Sequence, residues 1–341
     1  MKISEVKVDP RIKDKWDEAV KCATKDQINK FENRKKRQEI SFTPKYMRNI
    51  DPFEHLKEYG WCVINVNEYR QKLDKIDFDI IEDKFLNWLE NYKGFKRDDE
   101  KTWTWENVIP DTNFNGIFNF CFSHEDFVWD VRKSVYPIFK DLWNDEDLLS
   151  SYDGGNFIFG NHFKKAVNWL HTDRIRFDTV QNYQGLVTIN DCGEKDGGLL
   201  VVEESHKYYD SYMKKNVLYG YGAGLDLEDE DMSKLEIVKP CGNKGDLILW
   251  DNKTFHANAF PESNKCRMAI YVSMGPRKYA TNEELEQRKQ MYLNKQGSGH
   301  WTCGYHFKVK HEYDESLKPH KDFIPKNEEP KDKLIRQMVG Y

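Results

Sequence analysis

Residues 245–260 read GDLILWDNKTFHANAF. An apolar run follows Gly245 and ends at Trp250, polar residues turn the chain, and His256 stands near the start of the next run. The same strand-and-turn pattern extends in both directions. From about Asp153 the chain is a series of short β-like runs: NFIFG, YQGLVTIN, GGLLVVEE, GDLILW and CRMAIYVSM. Gly154-Gly155, Asp196-Gly197-Gly198 and Gly242 to Gly245 punctuate them. Short apolar runs bounded by such residues read as strands. They do not alternate regularly with helices, which argues against a Rossmann-like sheet. The expected fold class is mainly β with flanking helices. Its core, at about residues 150–276, is a jelly roll: the double-stranded β-helix of cupin-like proteins.

The helices gather on the N-terminal side. FEHLKEYGWCVINVN, from Phe53, reads as a short helix, a Gly turn and a strand from Trp61 to Val66. A helical segment follows with Ile76, Phe78, Ile80, Ile81, Phe85 and Trp88 apolar. Phe127, Val131, Val135, Ile138 and Leu142 recur at helical spacing and mark a core-facing amphipathic helix. Trp103 and Trp105, two apart, share a face and read as core before pocket lining. The expected organisation is a charged N-terminal extension at 1–50, a single domain at 51–310 and a charged C-terminal tail at 311–341. The tail is expected to wrap the surface or fray. The stretch 218–238, with Glu228-Asp229-Glu230-Asp231, reads as a surface insertion, a solvated loop in preference to a lid.

Composition bounds the class. The chain has 341 residues, 14% aromatic and 33% charged, so a sizeable core sits under a highly charged surface. A net charge of -5 gives no global reason to expect a nucleic-acid or membrane surface as partner. Seven Cys, with no CxxC pair, argue for reduced thiols and an intracellular setting. The N-terminus has no apolar core of the kind a signal peptide needs, and no run is long enough to span a membrane. The basic run Asn33-Arg34-Lys35-Lys36-Arg37 is compatible with a nuclear address, a phosphate-binding patch or, most simply, a solvated helix face.

Upstream of the opening stretch, residues 168–176 read NWLHTDRIR. In an extended strand residues i and i+2 share a face, so the imidazole of His171 and the carboxylate of Asp173 would converge. A lone His-x-Asp is weak evidence in a chain with ten His. Two ligands also leave a metal under-coordinated, and His256 is the best third. Two His and one carboxylate on one face of an octahedron is the arrangement of non-haem Fe(II) oxygenases. Arg267 lies eleven residues after His256 and opens another apolar strand. Directed into the same barrel, its planar fork would be costly without an anion and suits a carboxylate. GGLLVVEESHK reads as a strand ending in a turn before a helix.

These motifs, in this order, resemble the phytanoyl-CoA dioxygenase family of Fe(II)/2-oxoglutarate oxygenases. That family shows His-x-Asp, then a strand and turn of the form NGxLxxxPGSH, then Gly-Asp ahead of a distal His, then Arg. The likeness extends over about residues 53–307. It implies that His171, Asp173 and His256 hold Fe(II), and that Arg267 binds the distal carboxylate of 2-oxoglutarate. It places Asn258 beside that cosubstrate. O2 would be the other cosubstrate. Two departures stand out. Glu203-Glu204-Ser205-His206 replaces the Pro-Gly-Ser-His turn, and Ala269 stands where a Ser or Thr often assists the Arg. Thr188 or Tyr183 is the expected substitute. Related halogenases lack the metal-binding carboxylate, so the intact Asp173 implies hydroxylation.

A small organic molecule is the expected substrate. Tyr152, Asp153 and Asn156, on the first barrel strand, and Arg176, after the metal strand, are candidate contacts; Arg176 could equally pair with a carboxylate. Trp301, Tyr305 and His306 are placed to close the mouth. His162, His300 and His306 read as surface residues, and His206 as part of the turn. A hydroxylase of a protein side chain or nucleobase stays open on the basic run. A non-catalytic jelly-roll module stays open as a reading from another class.

Overall fold

The computed structural model of the chain describes residues 2–5, 13–33, 38–70, 75–91, 94–108, 115–160, 162, 164–174, 180–218, 225–304, 307 and 327–341. Helices α1 (Lys13–Cys22) and α2 (Lys25–Asn33) bury Trp16 and Phe31 with Leu218. Strand β1 (Thr43–Lys45) follows. Helix α3 (Pro52–Tyr59) begins at Asp51, whose carboxylate accepts from the N–H groups of Phe53 and Glu54, and ends at left-handed Gly60. A Cβ at Gly60 would lie 2.6 Å from side-chain atoms of His206 and Thr254, so only glycine makes this turn into β2 (Trp61–Asn65). Next come α4 (Val66–Tyr69), α5 (Phe78–Glu90), β3 (Ile117–Phe118) and α6 (Asp126–Trp143). The remaining elements begin with β4 (Leu148–Ser150), β5 (Gly155–Ile158), β6 (Tyr183–Thr188), β7 (Gly198–Val202) and α7 (Ser205–Lys215). They end with β8 (Ile237–Pro240), β9 (Asp246–Asp251), β10 (His256–Ala259), β11 (Arg267–Pro276), α8 (Asn282–Leu293) and α9 (Lys333–Val339).

The strands form two sheets. The larger runs β2-β9-β6-β11-β5-β3, with β4 also on β11, and its pairs are antiparallel. The smaller runs β1-β8-β7-β10, antiparallel apart from the β1–β8 pair. A single bridge between His171 and His256 adds the chain before β6 to this sheet's end. From β5 onward the chain therefore winds between the sheets: larger, smaller at His171, larger at β6, smaller at β7 and β8, larger at β9, smaller at β10, larger at β11. That winding is the double-stranded β-helix expected from the run of short strands.

Alternation along β11 shows what each face does. Met268, Ile270, Val272 and Met274 join the main apolar cluster with Phe85 and Trp88 of α5 and Val131, Val135 and Ile138 of α6. The helices before the barrel are thus the expected buttress. Ala269 and Tyr271 point the other way and pack with Leu199, Val201 and Val238 of the smaller sheet. The space between the sheets is where any side chain of the Arg267, Ala269, Tyr271, Ser273 series must project.

Three stretches differ from the sequence reading. The chain before residue 51 contributes β1 to the smaller sheet, in register with Val238 to Pro240. The insertion is not a solvated loop over its described part, because Leu225 and Met232 are buried against the outer face of β7 and β10. The end of the tail is not a surface wrap, since Met338 and Val339 on α9 are wholly buried in the main cluster. Arg34 to Arg37 and residues 219–224 lie outside the described residues. Trp103 and Trp105 pack as core, against Phe95 and Phe159. Among the described residues no helix is long and apolar enough to cross a membrane.

Candidate metal centre

His171 and His256 exchange two backbone hydrogen bonds across the bridge, at 3.0 and 2.8 Å. Their rings therefore lie side by side, centroids 4.5 Å apart. Each Nδ1 is held by its own segment: His171 by the Trp169 carbonyl and His256 by the Thr254 carbonyl, both at 3.0 Å. A carbonyl only accepts, so each Nδ1 carries the proton and each Nε2 presents a lone pair. A backbone carbonyl on the other ring nitrogen is what orients metal-binding imidazoles. The Asp173 carboxylate meets them, with Oδ1 3.7 Å from His171 Nε2 and Oδ2 3.3 Å from His256 Nε2. One ligand atom from each of the three residues lies within 4.8 Å of the others. The expected convergence of His171 and Asp173 is present, but the segment is not a regular strand: a bend follows the one bridge.

The electrostatics suit a cation. Burial, aided by the neighbouring His256, pulls the His171 pKa down to about 4, so the ring is neutral. Burial alone would raise the Asp173 carboxyl; His300, His256 and His171 outweigh it and hold it well below the ordinary range. A neutral imidazole and an ionised carboxylate are the protonation states that ligate metal.

Two further side chains touch this carboxylate, and the sequence reading missed their part in it. Gln184 donates from Nε2 to Asp173 Oδ2 at 2.7 Å. His300 places Nε2 3.4 Å from the same oxygen and bonds through Nδ1 to the Asp153 carboxylate. His300 is thus no surface residue; its side chain is 21% exposed. Sequence spacing carried no signal for it, because α8 separates it from β11 and only the return of the chain brings it to Asp173. The Gln184 signal was present in the alternation of β6, which puts it on the face of Leu186. Trp250 and Trp169 flank the two imidazoles, at 5.3 Å from His256 and 5.0 Å from His171.

Arg267 opens β11 opposite Ile158 and is buried, 4% exposed. Both terminal guanidinium nitrogens are buried without a hydrogen-bond partner among the described residues. A buried guanidinium in that state calls for an anion. Its stem runs against Gly197, where a Cβ would come within 3.1 Å. Asn258, two residues after His256 and on the same face, is buried beside the Tyr271 hydroxyl. Burial pushes that hydroxyl's pKa up while Arg267 opposes the shift. Neither Thr188 nor Tyr183 assists Arg267. The Thr188 hydroxyl is engaged by the Asn243 and Asp246 carbonyls, and Tyr183 packs on Trp143. Tyr271, on the inner face of the same strand, is a hydroxyl that the Arg267 charge acts on.

Of the candidate substrate contacts, Asn156 lies opposite Ala269 and shares the inner face; its Nδ2 donates to the Asn115 carbonyl at 2.9 Å. Tyr152 does not reach the site. Its hydroxyl donates to the Arg288 carbonyl at 3.2 Å and its ring packs with His124 and Trp129 in the helical layer. Arg176, Tyr305 and His306 lie outside the described residues, and Trp301 is buried in the main cluster. His206 bonds the Lys57 carbonyl at the turn, and His162 packs on Trp105. A cleft of about 700 Å³ beside Arg70 and Lys133 and one of about 510 Å³ beside Arg97 and Lys244 contain none of these residues.

Residues 65–269 match the family described as phytanoyl-CoA dioxygenase (PhyH). Over 256 residues the chain is 27% identical to "Ava biosynthesis cluster protein O" of Aspergillus versicolor, covering 69% of this chain and 82% of that protein. It is 20% identical over 289 residues to a "Putative phytanoyl-CoA dioxygenase" of Dictyostelium discoideum, covering 70% and 79%. Among solved structures it is similar to EctD from S. alaskensis with 2-oxoglutarate and 5-hydroxyectoine. There the TM-score is 0.46 at 13% identity, over 81% of this chain and 94% of that one.

Proposed function

Because the chain belongs to the phytanoyl-CoA dioxygenase family, whose members use Fe(II) and 2-oxoglutarate, we propose that it hydroxylates a C–H bond of a small organic molecule. The observation that carries this reading is the pairing of two features on one inner surface: three convergent metal-ligand atoms, and a buried guanidinium with both terminal nitrogens unpartnered among the described residues. His171, Asp173 and His256 would hold Fe(II), in the two-His, one-carboxylate arrangement that leaves positions open. Arg267 would take the distal carboxylate of 2-oxoglutarate bidentately, with Asn258 beside it. Gln184, through its bond to Oδ2, fixes the plane in which Asp173 presents its carboxylate. When bound, iron, 2-oxoglutarate and O2 together supply an oxidant for C–H bonds and release succinate and CO2. The protein's own part is to orient these groups and to keep water from them, which the buried walls of the barrel favour. Residues 51–310 would make one oxygenase domain.

The first test is an anaerobic titration of the apo-protein with Fe(II) and 2-oxoglutarate, followed by the visible metal-to-ligand charge-transfer band. The band should appear, and Asp173→Ala should remove it together with succinate formation. A folded wild-type protein without the band would leave the non-catalytic jelly roll as the better reading.

A further inference from the structure

Three neighbouring strands of the larger sheet carry a row of polar side chains at one register. Gln184 of β6 lies opposite Trp250 of β9 on one side and opposite Ser273 of β11 on the other. Residues directly opposite in a sheet point to the same face. Leu186, Ile248, Trp250 and Tyr271 pack in the inter-sheet cluster, so that face is the barrel interior. The row is buried: Gln184 1%, Trp250 2% and Ser273 1% exposed. Yet Gln184 Oε1, Trp250 Nε1 and Ser273 Oγ have no hydrogen-bond partner among the described residues. Buried polar atoms ordinarily find partners, and here three without one among the described residues stand side by side on neighbouring strands. The Gln184 amide cannot be turned to relieve this, because its Nε2 is committed to Asp173.

The row lies at the metal's end of the barrel. Gln184 touches Asp173, and the Trp250 ring is 5.3 Å from that of His256. Arg267 begins β11, and Ser273 is six residues further along the same strand. At a rise of about 3.3 Å per residue this places them roughly 20 Å apart along the strand. The row is therefore distinct from the carboxylate site around Arg267. Its chemistry is an acceptor (Gln184), a donor (Trp250) and a hydroxyl that can be either (Ser273). It contains no charged side chain. One strand-step deeper stand Ile248 and Leu186, which are apolar.

We propose that this row is the substrate's anchoring subsite and that the substrate is an uncharged, hydroxyl-bearing molecule with a hydrocarbon body. A hydroxyl can accept from the Trp250 indole N–H while donating to Gln184 Oε1, satisfying both at once. A carboxylate would face Gln184 Oε1, acceptor against acceptor. An ammonium would leave the Trp250 donor opposed. The hydrocarbon part would extend from the row away from Arg267, because Leu186 and Ile248 stand between the two and face the path 2-oxoglutarate would take from the metal to Arg267. This deepens the hydroxylase reading, since it names the substrate class of the same site.

The test uses three probes on one scaffold: cyclohexanol, cyclohexanecarboxylate and cyclohexylammonium. Binding is followed by ligand-observed NMR, with the protein alone and with Fe(II) and 2-oxoglutarate under nitrogen. Cyclohexanol should give saturation transfer in both states and bind at least about tenfold more tightly than either charged probe. Trp250→Phe and Ser273→Ala should each weaken it several-fold, with the exposed Lys331→Gln as the control that leaves it unchanged. Equal binding of all three probes, preference for a charged one, no detectable binding, or cyclohexanol affinity indifferent to both row variants would overturn the proposal. The charge-transfer band is recorded on the same samples. Its absence with cyclohexanol still bound would reject the iron reading and keep the subsite. Its presence without alcohol selectivity would do the reverse.

Discussion

Arg267 is poised against the protein's own stability. The two terminal nitrogens of its buried guanidinium have no partner among the described residues, so the protein itself offsets little of the cost of desolvating them. Arg267→Met, similar in length and apolar, should raise the stability of the cosubstrate-free protein by about 1–3 kcal/mol. The same substitution should abolish the rise in melting temperature that 2-oxoglutarate and Fe(II) give the wild type, a rise worth about 2.7 kcal/mol at a hundredfold excess over Kd. A variant less stable than wild type, or still stabilised by 2-oxoglutarate, would show that Arg267 has a protein partner. His171 gives the opposite kind of prediction. Its folded pKa, about 4, lies below the ordinary 6.5 because of burial and His256. Between these values the unfolded chain binds a proton that the native chain refuses. Stability present above pH 6.5 is therefore lost as pH falls toward 4. With the ring one-third exposed the loss is about 1–2 kcal/mol after discounting for solvent. Urea midpoints measured across this range should fall less steeply in His171→Gln. Asp173, held below the usual carboxyl range, withdraws its contribution only at lower pH. The convergence of His171, Asp173 and His256 and the burial of Arg267 were legible in the sequence because each residue sits at a fixed offset within a motif. Asp153 was read as a substrate contact, and its bond to His300 could not be seen, because His300 reaches it only through tertiary return of the chain.

At the scale of elements, the strands were readable wherever alternation or apolar runs were clean, as in β9 and β11. The segment carrying His171 and Asp173 was less so, because one bridge and a bend replace the strand that the i, i+2 spacing suggested. The turn after β7 shows how a departure in sequence is accommodated. Where the family turn has Gly, Glu204 adopts φ 67° and opens α7 in the left-handed region. Its N–H is held by the Tyr59 carbonyl at 2.9 Å, so the conformation is fixed from outside the turn. A non-glycine residue there costs about 1–2 kcal/mol, against about 0.5–1 kcal/mol of extra chain entropy for glycine. The side chain's exposed ion pair with Lys207 offsets little. Glu204→Gly should therefore stabilise the protein by about 0.5–1 kcal/mol, read as a higher urea midpoint at unchanged slope. A lower midpoint would mean that the Glu204 side chain contributes more than its exposure suggests.

The whole molecule is closed by helix α9. Composition alone suggested a charged tail, since Lys, Glu and Pro dominate up to about residue 332 and hide the short apolar face that follows. In the structure Met338 and Val339 complete the main cluster. Arg288, fully buried on α8, donates to the carbonyls of Met338 at 2.7 Å and Val339 at 3.0 Å, and also to those of Ser150 and Thr302. Arg277, just after β11, donates to the carbonyls of Gly340 at 3.0 Å and Tyr341 at 2.9 Å. One helix thus ties the last barrel strand, the β4 edge and α8 together. Deleting residues 333–341 would expose a site for two apolar side chains, each worth about 1.5–3 kcal/mol. It would also strip Arg288 of two of its four carbonyl acceptors, leaving those of Ser150 and Thr302, at a cost of about 1–3 kcal/mol more. The sum approaches the entire stability of a typical domain, about 5–15 kcal/mol. The truncated chain should be largely unfolded or insoluble at 37 °C, while Met338→Ala should fold with a loss of about 2–4 kcal/mol. Adding Arg288→Met to the truncation should recover part of the loss, because it removes the stranded guanidinium. A truncated protein that melts within a degree or two of the full chain would show that α9 merely rests on the core.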